Sequence, residues 1–197
     1  ADLADLGTVM PNVYHTKEEM IDCVNTFYDG MVARSEEMKQ HPNYKTGENY
    51  AYLGLPPCFL IFDEYVAFFE MLATKESMSL LSQLKKIVML GRQAGYFLIV
   101  ACQRPDAKYF SDGIRDNFNF RVGLGRISEL GYGMLFGSDV KKQFFQKRIK
   151  GRGYCDVGTS VISEFYTPLV PKGHDFLQTI GRLAQKQQST QVQQEKE

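Results

Sequence analysis

The sequence has no tryptophan, and its three histidines (His15, His41 and His174) stand far apart in 197 residues, which argues against a histidine-based metal centre. Its four cysteines, Cys23, Cys58, Cys102 and Cys155, form no CxxC pair. They read as reduced packing residues, with Cys58 and Cys102 in or beside apolar runs, and not as a disulfide framework or zinc site. There is no excess of either charge: 23 Lys and Arg balance 23 Asp and Glu, so a globally basic nucleic-acid binder is not indicated. No long hydrophobic run is present; the longest, around AGYFLIVAC, has about nine residues, against the ~20 that a membrane helix needs. No signal peptide is visible, and the expectation is a soluble chain.

What is present is a 44% hydrophobic sequence rich in Phe and Tyr, long enough for one domain with a core. Charge is distributed unevenly. Residues 141–152, KKQFFQKRIKGR, carry six basic residues and no acid, whereas residues 1–58 carry nine acids against four bases. After an irregular lead-in, Thr16 and Glu19 form a T-x-x-E capping box. Met20, Val24, Phe27, Tyr28, Met31 and Val32 then recur at helical spacing, which predicts a helix over 17–39. A polar loop precedes a buried strand at 58–62. A second helix is expected at 76–94, closing on Gly95 in a left-handed cap. The run YFLIVA, 96–101, has the near-continuous apolar character of a parallel strand covered on both faces, and Pro105 ends it. Further strands are expected at 120–124, 153–157, 161–166 and 167–170. The alternation of helices and strands predicts an α/β fold with a doubly wound, mostly parallel sheet. Residues 184–197, with six Gln, read as a disordered tail behind a domain at 1–183.

The stretch PPCFLIFDEYVAFF, 56–69, is unusual because an apolar strand runs directly into two carboxylates, Asp63 and Glu64. Ligands of doubly wound sheets sit at the carboxyl ends of strands. There, one acid can hold a hydrated Mg2+ through water while the other orients an attacking water, which is what phosphoryl transfer to water requires. Acids also commonly open the helix after a strand, where the helix dipole favours them. The following strand ends in Gln103-Arg104-Pro105, and the amide of Gln103 could read a γ-phosphate or the lytic water, or simply cap a strand end. Asp-Glu on one strand end and Gln on its neighbour form a more specific pattern than either alone.

With these motifs the chain resembles FtsK/SpoIIIE-type DNA translocase motor domains, and more closely the FtsK-like coupling proteins of conjugative elements. CFLIFDEYVAFF, LGRQAGYFLIVACQRPDAKYFSDGIRDNFNFRVGLG and KGRGYCDVG carry the resemblance, over about residues 1–180. It implies a RecA-like fold of the P-loop NTPase type and an ATP- and Mg2+-dependent ring, usually hexameric, that moves double-stranded DNA. It implies a cytoplasmic motor, with family members commonly membrane-anchored. By motif, Asp63 is implied as the Walker B aspartate acting on Mg2+, Glu64 as the catalytic glutamate and Gln103 as the γ-phosphate sensor. Arg121 is implied as an arginine finger, or is a strand-edge arginine paired with an acid. Arg115 and Arg126 are weaker finger candidates, and Arg104 is expected to pair locally. DNA contacts are sought at Lys108 and Arg115.

No G-x-x-x-x-G-K-[ST] phosphate loop occurs in the sequence. GYCDVGTS, 153–160, has the spacing but places Thr159 where lysine must stand, and reads as a hairpin. In the family a segment like ADLADLG follows the phosphate loop and second strand. The expectation is therefore a C-terminal, Walker B-containing portion of a motor domain, incomplete at its N-terminus, inactive alone and with exposed strand edges. The basic run 141–152 reads either as a DNA contact or as a helix face with Phe144, Phe145 and Ile149 packed inward. Besides the motor, two readings remain: a RecA-like interaction module without catalysis, and a metal-dependent nuclease, for which no convincing third acid is seen.

Overall fold

The computed structural model describes residues 2–106, 108–110, 112–140, 142–145, 148–159 and 161–194. They divide into two compact units, one of residues 1–20 with 169–197 and one of residues 21–168.

In the first unit, a 3-10 helix at Asp2–Thr8 accompanies the helix that ends the chain, Phe176–Gln194. A Cβ placed on Gly181 of that helix would lie 3.3 Å from Val9. The helix runs to Gln194, within the segment 184–197 expected to be disordered, of which residues 195–197 lie outside the described residues. Ala, Gln, Lys and Arg are among the better helix formers, a local preference that an argument from packing alone overlooks. The capping box forms: the Thr16 hydroxyl donates to Glu19 at 2.8 Å, and the Glu19 carboxylate accepts the Thr16 N–H at 3.2 Å. These bonds from Thr16 hold the Glu19 carboxyl below its ordinary range.

In the second unit, helix α1 (Lys17–Gln40) buries Val24, Met31 and Met38. Strand β1 (Cys58–Phe62) and strand β2 (Tyr96–Val100) pair in parallel, with Phe59 opposite Phe97 and Phe62 opposite Val100. Helices α2 (Tyr65–Glu70) and α3 (Thr74–Ala94) connect them. Leu80, Leu84 and Ile87 are buried on one face of α3, as the helical spacing predicts. Gly91 lets α3 approach β2 closely, since a Cβ there would lie 2.3 Å from the Tyr96 carbonyl oxygen. Gly95 adopts φ 78° and donates its N–H to the Gly91 carbonyl, the expected left-handed cap. Phe27 of α1 meets Tyr96 edge-on at 4.8 Å.

The parallel sheet is covered on one face only. Leu60 and Phe62 are buried, while Phe59, Ile61 and Ile99 are exposed, so the apolar run of β2 does not correspond to burial on both sides. The short helix α4 (Asp112–Arg115) leads to β3 (Arg121–Leu124), α5 (Glu129–Phe136), β4 (Arg152–Asp156) and β5 (Ile162–Tyr166). The last three strands form an antiparallel sheet in the order β3-β4-β5, so among the described residues parallel pairing is confined to β1 and β2. A short connection through Gly158, at φ 81°, joins β4 to β5. Only antiparallel strands can be linked so briefly, and GYCDVGTS is accordingly a hairpin. Residues 167–170 form no strand.

Tyr132, Phe136, Tyr154 and Ile162 make the core against this sheet, with Phe144 packed on them. No helix forms among the described residues of 141–152. Phe144 stacks on Tyr132 at 4.3 Å, but Phe145 and Ile149 are exposed, at 68% and 67%, so the inward helical face expected there is absent. Lys141, Gln146 and Lys147 lie outside the described residues. Cys58 and Cys102 are half-buried and Cys155 is buried.

Candidate functional site

The pair Asp63-Glu64 occupies the turn between β1 and α2, and one residue of the neighbouring strand's extension brackets it. The Ala101 N–H donates to the Phe62 carbonyl at 2.9 Å, and the Ala101 carbonyl accepts the Tyr65 N–H at 3.0 Å. The two acids are the residues left between these bonds. Asp63 is exposed and Glu64 half-buried. Glu64 adopts a left-handed backbone, φ 50° and ψ 42°, and its carbonyl accepts the Phe68 N–H at 3.2 Å. A left-handed backbone is unfavourable for a residue with a Cβ and persists only where the surroundings impose it. Here the bonds on either side impose it.

The amide Nε2 of Gln103 donates to Glu64 Oε1 at 3.2 Å. The ends of two adjacent parallel strands thus meet through the two side chains singled out by sequence. Cys102 lies beside them. Burial pushes its thiol up from the ordinary value, and the Glu64 carboxylate pushes it further the same way. Tyr65, next to Glu64, is fully buried, and that burial raises its hydroxyl well above the usual range.

Arg121 does not join this group. Its guanidinium pairs with Asp156 across the β3–β4 register, Nη2 to Oδ2 2.5 Å, and donates to the Leu135 carbonyl at 3.2 Å. Asp156 is the one buried acid among the described residues, and it also accepts the Gly158 N–H at 2.8 Å. Of the two sequence readings of Arg121, the pairing with an acid is the arrangement adopted. Lys108 is exposed, and its Nζ donates to Tyr109 Oη at 2.9 Å. Arg115 Nε pairs with Asp116 at 3.2 Å. Arg104 and Arg126 are exposed.

Sequence reasoning overlooked Asp156, the bracketing peptide of Ala101, and Tyr65 as more than core. The signal for Tyr65 was present: a hydroxyl-bearing aromatic directly after the acids, where a phenylalanine would pack equally well. Asp156 carried no comparable signal, because its partner lies 35 residues away.

No group of three or more His, Cys, Asp or Glu suited to a metal exists among the described residues. An Mg2+ bound mainly through water and phosphate oxygens needs only one or two carboxylates. Asp63 and Glu64 fit that metal-and-water side of a nucleotide site; the loop lysine that would hold phosphates is not in the sequence.

No family model matches the chain. It is 59% identical over 181 residues to the FtsK domain-containing protein YdcQ of Bacillus subtilis (strain 168), a match covering 91% of this chain and 38% of that protein. The chain therefore spans little more than a third of that relative's length. Among solved structures, the pCW3 conjugation coupling protein TcpA, a monomer form with ATPγS, aligns with a TM-score of 0.61 at 18% identity, over 83% of this chain and 49% of that one. The cytoplasmic domain of the Thermomonospora curvata type VII secretion ATPase EccC gives 0.59 at 19% identity, over 87% and 21%. ATPases 2 and 3 of EssC from Geobacillus thermodenitrificans give 0.55 at 15%, over 88% and 32%. These structural likenesses establish fold. The resemblance to FtsK-type domains read from the motifs is borne out, and the chain carries the RecA-like fold of these ATPase domains.

Proposed function

We propose that this segment supplies the acid-and-amide half of the nucleotide site in an ATP-driven motor that moves double-stranded DNA, in chromosome segregation or conjugative transfer. The observation that carries the reading is the Gln103–Glu64 hydrogen bond at the carboxyl ends of two adjacent parallel strands, with Asp63 exposed beside it. Asp63 would hold Mg2+ through a water. The bound Mg2+ and ATP would supply charge compensation and the phosphoryl group. Glu64 orients water by accepting its proton-bearing side, and the bracketing peptide of Ala101 holds it in place. Gln103, bonded to Glu64, is placed to exchange that bond for one to a phosphate oxygen, which would release the carboxylate when nucleotide is present. Lys108 and Arg115 are the proposed DNA contacts, through phosphates and without sequence preference. The working assembly is a ring, six-membered by family resemblance, with its motor on the cytoplasmic side. No helix among the described residues is long and apolar enough to cross a membrane.

The exposed apolar sheet face of Phe59, Ile61 and Ile99 favours a second reading, a non-catalytic module that binds partner subunits. DNA-stimulated ATP hydrolysis separates the two. It is measured for this chain, for a longer form that carries a G-x-x-x-x-G-K-[ST] phosphate loop, and for each with Glu64→Gln. The motor reading expects turnover only from the longer form, abolished by Glu64→Gln. A longer form that is inert yet binds subunits or DNA supports the module instead.

A further inference from the structure

We infer that Tyr65 is a positioning residue, tying Glu64 to the turn at Asp106–Phe110 so that a movement of that turn is felt at the carboxylate. The inference rests on the reading of Glu64 as the water-orienting group. Three observations support it. First, Tyr65 follows Glu64 directly, and its N–H bond to the Ala101 carbonyl is one of the two that impose the left-handed backbone of Glu64. Rotation of the Tyr65 peptide therefore cannot occur without changing where Glu64 points. Second, the ring is packed against both α2 and the turn. It meets Phe69 of α2 at 4.8 Å and Phe110 of the turn at 4.8 Å, while Tyr109 of the turn lies against Phe69 in a tilted contact at 5.5 Å.

Third, the Tyr65 hydroxyl, in a residue only 1% exposed, donates to the Tyr109 carbonyl at 3.3 Å. A buried hydroxyl without a partner is costly, and a phenylalanine would fill this apolar site without that cost. What the hydroxyl adds is a bond to the turn. The turn is itself organised by bonds from the Tyr109 and Phe110 N–H groups to the Asp106 carbonyl, at 3.0 and 2.9 Å. On its outer side the exposed Lys108 donates to Tyr109 Oη at 2.9 Å. A continuous path therefore runs from a surface cation, through Tyr109, to Tyr65 and the peptide of Glu64. An anion that draws Lys108 away from Tyr109 would disturb the turn at the residue that accepts the Tyr65 bond.

The test uses Tyr65→Phe, which keeps the ring and removes one bond, with Leu84→Ala on α3, at a residue 0% exposed, as a packing control away from this cluster. Cys102 reports on the strand end, because it stands between Ala101, whose carbonyl accepts the Tyr65 N–H, and Gln103, whose amide donates to Glu64. Its alkylation rate in the isolated chain is followed by peptide mass spectrometry, and thermal midpoints are recorded alongside. In a longer form that carries a phosphate loop and hydrolyses ATP, kcat and KM are measured. Tyr65→Phe is expected to lower kcat about tenfold with KM for ATP unchanged, since a catalytic group displaced by about 1 Å costs on the order of a hundredfold and the loss of one tether displaces Glu64 by less. It is also expected to speed Cys102 alkylation about threefold, as the strand end loosens and the half-buried thiol becomes more accessible. Leu84→Ala is expected to lower the midpoint more than Tyr65→Phe while leaving Cys102 and kcat nearly as they were. If Tyr65→Phe changes the midpoint alone, the inference is overturned. If Glu64→Gln leaves kcat intact, the reading of Glu64 has failed, and a Cys102 rate unmoved by Tyr65→Phe would then also remove the structural link.

Discussion

Removing the Arg121 guanidinium tests whether this residue serves the fold or another subunit's nucleotide. In the structure its ion pair with Asp156 is largely dry: the Asp156 side chain is 3% exposed and that of Arg121 19%. Breaking such a pair from one side leaves a buried charge without its partner, typically a loss of about 3–5 kcal/mol. Two details place Arg121→Ala near the lower end. Asp156 keeps one bond, from the Gly158 N–H, and the Arg121 side chain was partly open to water from the start. Against that, the Leu135 carbonyl loses its bond from Arg121. We expect a loss of about 3 kcal/mol, which for a chain of this size is a fall of roughly 6–12 °C in thermal midpoint. Asp156→Asn combined with Arg121→Ala should recover part of it, giving a coupling of about 1–3 kcal/mol in a double-mutant cycle followed by circular dichroism and urea denaturation. A midpoint within about 1 °C of the parent, together with loss of the ATP hydrolysis proposed for the longer protein, would refute the reasoning and return Arg121 to the role of a finger, because a surface residue costs little when removed.

Other expected outcomes follow from single features of the fold. On β1, Leu60 is 8% exposed and Ile61 67%, so Leu60→Ala should cost about 2–5 kcal/mol and Ile61→Thr about 0.5 kcal/mol or less in urea denaturation; equal losses would contradict the one-sided burial of the sheet. Gly91→Ala would set a methyl group 2.3 Å from the Tyr96 carbonyl oxygen, forcing α3 off β2, and should destabilise by about 1–3 kcal/mol despite alanine's better helix propensity. The Glu19 carboxyl sits below its ordinary value of 4.5 because Thr16 donates to it. The stability it contributes is complete above that value and is lost as pH falls through the lowered folded one. Thr16→Ala should therefore flatten the acid limb of a stability-against-pH profile, and an unchanged limb would show that the capping box contributes nothing there.

Much of the architecture was legible locally. The strand at 58–62 and the helix ends at Gln40 and Ala94 follow from apolar periodicity, the capping box and the Gly95 cap, all of which act within a few residues. Asp63, Glu64 and Gln103 were legible for the same kind of reason: acids and an amide at the ends of apolar strands carry a pattern that needs no knowledge of the fold. Local reading failed where long-range partners decide. An arginine in NFNFRVGL looks the same whether it reaches a neighbouring subunit or a buried Asp156, and only the β3–β4 register brings that acid opposite it. Apolar content likewise could not tell that Phe59 and Ile61 stand exposed while Leu60 and Phe62 are buried. Period-2 strand geometry says which residues share a face, but which face is covered depends on elements distant in sequence.

The candidate residues Asp63, Glu64 and Gln103 and their places at strand ends were thus legible from sequence alone, because strand ends and caps are short-range physics. The tertiary structure decided their relations. It set the Gln103–Glu64 bond, the left-handed turn bracketed by Ala101, and the link from Tyr65 to Tyr109. Each joins residues about 40 apart in sequence, a closure that pays off in free energy only once the sheet and its packing have already formed.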